Sequence, residues 1–237
     1  MKALIKKELY SALHSPVFYA VAVFFLLFVS IWLFYLQKFF SLDSATLRPF
    51  FSAFPLAFIL AAPALTMKSW AEERKLGSVE LLLTLPCSEW ELVLAKFLSA
   101  FILLTGIIAL TVFVPLTVFP LGNFDVGVMV GEYIGVILLA ASVISLGVLL
   151  SSLSKNQASA FLGGAVTLVA VIFVNQTTVS FNLPAFLADA INFFSLSFHF
   201  ETFSKGIIDS RDVAFFALST LLFLFLNTRV ILYRKWS

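Results

Sequence analysis

The chain has 237 residues, of which 61% are hydrophobic, 12% are charged and 29 are phenylalanine, and its mean hydropathy is +1.06. A soluble domain is roughly 45–50% apolar and about 25% charged, so this composition excludes a soluble enzyme, a disordered chain and a disulfide scaffold and points to an all-α polytopic membrane protein. The net charge of +2 is too small to imply a nucleic-acid partner. The single cysteine, Cys87, leaves no internal disulfide and no multi-cysteine metal site, and reads as a small apolar residue.

Residues 1–14 have helical periodicity, with Ile5, Leu9, Ala12 and Leu13 on one face and Lys6, Tyr10 and His14 on another. Within the leading segment 1–16, such a helix either lies in the membrane plane with its lysines near anionic headgroups or is a basic flank that only fixes topology. A hydrocarbon core roughly 30 Å thick takes about 20 apolar helical residues. The uncharged run 17–36 meets that length; it is too long for a signal-peptide h-region and is followed by no small-residue cleavage site, so it reads as a retained first span. Further spans are expected at 49–67, 97–121, 133–153, 158–174 and 213–228. Pro55 and Pro63 lie inside the second, where neighbouring helices can satisfy the freed carbonyls.

Six spans put the N-terminus, the loop 68–96, the turn 154–157 and the C-terminus on one side. That side holds eleven of the fifteen Lys and Arg, against four (Lys38, Arg48, Lys205 and Arg211) on the other. The positive-inside rule therefore expects both termini in the cytoplasm.

The loop 68–96 is more ordered than a topological connector needs. Glu72, Glu73, Arg74 and Lys75 form a mixed-charge cluster, and Gly77 can end the second helix as a C′ residue. Ser78 can cap a short helix to Leu85, Pro86 breaks it, and Ser88 with Glu91 matches a capping box that starts the helix leading to Lys96 and the third span. The expected product is a short helix at 78–86 between two sharp turns, either a rigid interfacial elbow or an element on which a soluble partner docks.

Gly127, Gly131 and Gly135 form a small-residue stripe entering the fourth span, for packing within the bundle or for a dimer seam. Glu132 lies on the same stretch, either as a functional membrane acid or snorkelling to the interface. The segment 175–212 is longer than a turn. Pro184 suits a first helical turn, and Leu187, Ile191, Phe194 and Phe198 recur at helical spacing, as in a re-entrant or interfacial helix. His199, Glu201, Lys205 and Asp209 at its end read as a polar lip at the headgroups or, less simply, a metal site; Asp209 and Asp212 are expected to cap the sixth span. Asn175-Gln176-Thr177 matches the glycosylation sequon, a pattern expected by chance.

No G-x-x-x-x-G-K-[ST] phosphate loop, H-E-x-x-H or G-x-S-x-G occurs, and the central thirds of the expected spans carry no Lys, Arg, Asp or Glu. A proton- or sodium-coupled carrier keeps such groups near the midplane, so a transporter built this way needs an external motor. An autonomous carrier is the weaker alternative, and a scaffold or force-transmitting subunit of an envelope machine that moves no cargo is the stronger one.

With this topology, the stretch Glu72–Lys96 resembles the permease subunits of type-2 ABC exporters. Their pattern of acid-base pair, Gly-Ser/Thr, Glu, paired leucines, Pro and a Ser-led helix reaching a Lys is matched by Glu73, Arg74, Gly77, Ser78, Glu80, Leu82, Pro86, Ser88 and Lys96. The segment His199–Val213 is similar to Gld-type permeases associated with gliding motility. The resemblance implies six spans, an N-terminal interfacial helix and a coupling helix at 78–86. It also implies location in a bacterial inner membrane and no cofactor on this chain, with ATP and magnesium held by a partner. The implied partners are two copies of an ABC ATPase, a second permease copy or paralogue, and, for Gld-type systems, a membrane protein with a large extracytoplasmic domain.

Overall fold

The computed structural model describes residues 1–41, 46–77, 88–122, 124–180 and 184–235. Among them the backbone is helical without a strand, as a bilayer demands of a chain that satisfies its own amides. Six helices are long and apolar enough to cross a membrane: Pro16–Leu36, Arg48–Lys75, Glu89–Leu121, Val126–Leu153, Gln157–Asn175 and Ser210–Tyr233. The chain is an all-α, multi-pass membrane protein.

Helix α1 (Lys2–Leu13) precedes α2 (Pro16–Ile31), which opens on a proline whose missing N–H costs nothing in a first turn. The end of α2 widens into a π-turn, Trp32–Leu36, and Trp32 Nε1 donates to Ser52 Oγ at 3.1 Å. The second crossing is assembled from α3 (Arg48–Phe51), α4 (Ala53–Thr66) and α5 (Ala71–Lys75). The third comprises α6 (Glu89–Leu110) and α7 (Phe113–Val118). Helix α8 (Val126–Leu153) is the fourth, α9 (Gln157–Ser180) the fifth and α12 (Ser210–Lys235) the sixth.

These helices outrun the apolar runs by which the sequence marks them. Helix α6 begins at Glu89, where the Ser88–Glu91 capping box expects it and well before the apolar run at 97, while α8 begins at Val126 rather than near 133 and α12 continues past Thr228 to Lys235. Hydropathy reports where lipid begins; the backbone hydrogen bonds continue through polar residues into the interface. Helix α9 likewise passes Asn175, so the sequon lies on a helix.

The expected helix in 175–212 is two helices, α10 (Ala185–Phe193) and α11 (Leu196–Phe203). The chain turns at Phe194, and Ser195 caps α11 by accepting from Phe198 N at 3.3 Å. The turn splits the Leu187–Phe198 stripe: Phe194 and Phe198 are exposed, while Leu196, Phe200 and Phe203 supply the buried face. Pro184 stands at the N-cap of α10, one residue before its first turn.

The second and fourth crossings form the centre, 67% and 72% of their apolar windows being buried, against 22–44% for the other four. Phe25 of α2 packs on Phe54 and Phe58 of α4 at 5.6 Å between ring centres, and Phe51 meets Tyr133 of α8 edge-on at 4.8 Å. Lipid gives helices no hydrophobic reason to associate, so close backbone approach and shared hydrogen bonds hold them. Gly147 of α8 lies directly against Thr66 of α4. Ser142 of α8 joins Phe216 O (3.1 Å) and Ser219 Oγ (2.8 Å) of α12.

Candidate functional site

Among the described residues, the richest polar cluster lies where α1, α5 and α6 meet, at the end of the bundle that carries the N-terminus. Lys96 points inward from α6 with 4% of its surface exposed, and its Nζ lies 2.8 Å from Glu73 of α5 and 3.2 Å from Glu8 of α1. The ammonium also sits 4.8 Å from the centre of the Trp70 ring. Lys7 stands 4.0 Å from the other Glu73 oxygen and balances the second carboxylate. A charge this buried is tolerated only when paired and hydrogen-bonded.

Each strand of this stem has its own anchor. Ser88 accepts from Glu91 N at 3.3 Å while the Glu91 carboxylate accepts from Ser88 N at 3.1 Å, closing a capping box at the start of α6. Gly77 takes φ +69° after α5, with its N–H donating to Arg74 O at 3.1 Å, a left-handed C′ position that favours glycine. Ser151 of α8 accepts the otherwise orphaned N–H groups of Trp70 and Ala71 at 3.1 and 3.3 Å and donates to Met67 O at 3.3 Å. Arg74 reaches the open carbonyl end of α8, donating to Ser154 O at 2.6 Å. Lys68 donates to Ser15 Oγ at 3.0 Å, joining the second crossing to the α1–α2 turn.

Of the sequence-derived residues, Glu73, Arg74, Gly77, Ser88, Glu91 and Lys96 thus belong to one connected stem, and Glu72 lies beside it lining a cavity under α1. Ser78, Glu80, Leu82 and Pro86, with the short helix expected at 78–86, lie outside the described residues. Glu8, Trp70 and Ser151 were not singled out by sequence, because their partners are distant in the chain.

The glycine stripe faces inward at two of its three positions. Gly131 lies against the backbone of Gly206, and a Cβ on Gly135 would meet Phe203 Cβ at 2.6 Å; Gly127 is exposed. Glu132 is 1% exposed and does not snorkel, because surrounding protein encloses it beside a cavity of about 120 Å³ shared with Thr46 and Met129.

The residues expected at the outer lip separate. His199 is buried within the protein: its Nδ1 meets Asp212 Oδ1 at 2.6 Å, its Nε2 meets Phe193 O at 3.1 Å, and its ring stacks on Phe215 at 3.8 Å. Both ring nitrogens are therefore occupied, leaving none for a metal. Asp209 caps α12 by accepting from Arg211 N at 2.8 Å, whereas Asp212 pairs with the histidine instead of capping. Glu201 and Lys205 are exposed.

A family profile described as ABC-2 family transporter protein matches residues 2–233. The chain belongs to the ABC-2 transporter family. No curated protein matches the sequence. As an ABC-2 protein it is a membrane component of a transporter and not itself a catalyst, and membership implies an ABC ATPase as partner. The stem at Glu73 and Lys96 is the part of this ABC-2 chain in which segments from the N-terminal helix, the second crossing and the third are joined by charge.

Proposed function

We propose that this chain is the permease subunit of an ATP-driven exporter, gated when a partner ATPase pushes on segment 78–86. The observation that carries the reading is the Glu73–Lys96 pair, which ties the two strands leading into and out of that segment. Force applied to a loop with unconnected strands would dissipate in backbone torsions. Here it would pass into the second and third crossings together and, through Glu8, into α1. The charge bias of the sequence supports placing this end, and both termini, in the cytoplasm of a bacterial cell. Two ATPase copies serving two permease halves, with ATP and magnesium held entirely by the partner, complete the assembly.

The stretch His199–Val213 supports the narrower Gld-type reading, with a protein bearing a large extracytoplasmic domain as a third component and gliding motility as its setting. The test is affinity purification of the intact chain from its native membrane. An ATPase should co-purify, and Glu80→Lys or Leu82→Asp should release it while leaving insertion intact. Equal ATPase recovery from both variants and the native chain removes the docking role.

A further inference from the structure

We infer that the cavity beneath α1 is a binding site for a headgroup that carries both a phosphate and an ammonium, and that a phosphatidylethanolamine-type lipid is its source. The cavity has a volume of about 390 Å³, within the roughly 300–1,000 Å³ of small-molecule sites. It opens where α1, the end of α4, α5 and α6 converge. Its polar wall holds three lysines, Lys7, Lys68 and Lys96, and three carboxylates, Glu8, Glu72 and Glu73.

Four of the six charges are already spoken for. Lys96 and Lys7 balance Glu73 and Glu8. Lys68 spends one N–H on the Ser15 hydroxyl and keeps two donors. The Glu72 side chain, partly buried, makes no hydrogen bond or ion pair among the described residues. What remains is one cation with spare donors and one open carboxylate in the same cavity. That pair fits a zwitterion: Lys68 takes the phosphate and Glu72 the ammonium. A purely anionic headgroup would set its charge against Glu72 with nothing to offset it. Val17, Phe18, Leu65 and Leu103 line the same cavity and offer an apolar slope on which acyl chains can lie. That slope favours a lipid over a soluble phosphate compound. The inference needs this end of the bundle to lie at a bilayer surface and holds for either orientation, independently of any ATPase.

The test is native mass spectrometry of the purified full chain, titrated separately with phosphatidylethanolamine, phosphatidylglycerol and soluble phosphoethanolamine. One phosphatidylethanolamine per chain should be retained in preference to phosphatidylglycerol, with soluble phosphoethanolamine competing weakly. Competition by phosphoethanolamine at equal concentration would keep the headgroup chemistry and overturn the lipid as its source. Lys68→Met should weaken retention by about tenfold or more, the worth of one hydrogen bond to a charged group. Glu72→Gln, nearly isosteric, should keep lipid bound and abolish the preference over phosphatidylglycerol. Equal retention of the two lipids by the native chain, or unchanged retention and preference in both variants, overturns the site. Because no nucleotide or ATPase enters the measurement, its failure would leave the permease reading standing, and loss of ATPase recovery would leave this site standing.

Discussion

Glu73 and Lys96 meet at 2.8 Å across the base of segment 78–87, one from the helix that enters it and one from the helix that leaves. Lys96 is nearly fully buried and shares its ammonium with Glu8 of the N-terminal helix. Three segments far apart in sequence are thereby fixed to a single nitrogen.

Removing that nitrogen leaves two carboxylates facing each other in a partly buried site. Lys96→Met should destabilise the chain by about 3–5 kcal/mol, the cost of breaking a buried pair by deleting one partner. Thermal unfolding in detergent reads the loss, and the double change Lys96→Met/Glu73→Gln should recover part of it.

Ser151 supplies the second anchor through a single hydroxyl serving three backbone groups. Ser151→Ala should cost about 1–3 kcal/mol by leaving the Trp70 and Ala71 amides unpaired. Hydrogen exchange should localise the loosening to residues 67–75; uniform exchange there would show that these amides find other partners.

Gly135→Ala should destabilise by about 1–3 kcal/mol through overpacking against Phe203. Phe203→Ala in the same chain should relieve the clash. Gly163 of the fifth crossing has open space at its Cβ position, so Gly163→Ala should be neutral or stabilising. A melting series over these variants separates a packing contact from helix propensity.

Near the start of α12, His199→Phe keeps a ring against Phe215 but strands the buried Asp212 carboxylate. A loss of about 1–3 kcal/mol is expected, with much of it recovered in His199→Phe/Asp212→Leu, where both polar partners are gone. Additive losses in the double variant would mean that the two side chains act separately.

What the sequence makes legible here is local. The six crossings follow from apolar run length, and the Ser88–Glu91 capping box from a spacing of three. The Gly77 helix end follows from the need for a positive φ. Helix ends without such a cap are less legible, since the backbone of α8 and α12 stays helical through polar residues outside the apolar core. The partners of charged side chains are hidden altogether: Glu8 and Lys96 lie 88 residues apart, and Ser151 and Trp70 lie 81 apart. Periodicity assigns a residue to a face and is silent on what meets it. His199 shows the same limit, because its polar neighbours in sequence drew it to the surface while its actual partner, Asp212, stands on another helix.

In the proposed cycle, segment 78–86 receives force from a nucleotide-driven partner on the cytoplasmic side. Cys87 is the chain's only cysteine and immediately follows that segment, so the native protein carries its own reporter. Maleimide labelling of membrane vesicles of known sidedness, with and without the ATPase, reads the accessibility of that thiol directly. Labelling is expected from the cytoplasmic face alone, with protection when the ATPase is bound and a change in protection when ATP is added. Labelling from the outer face, or a rate indifferent to both ATPase and ATP, contradicts it.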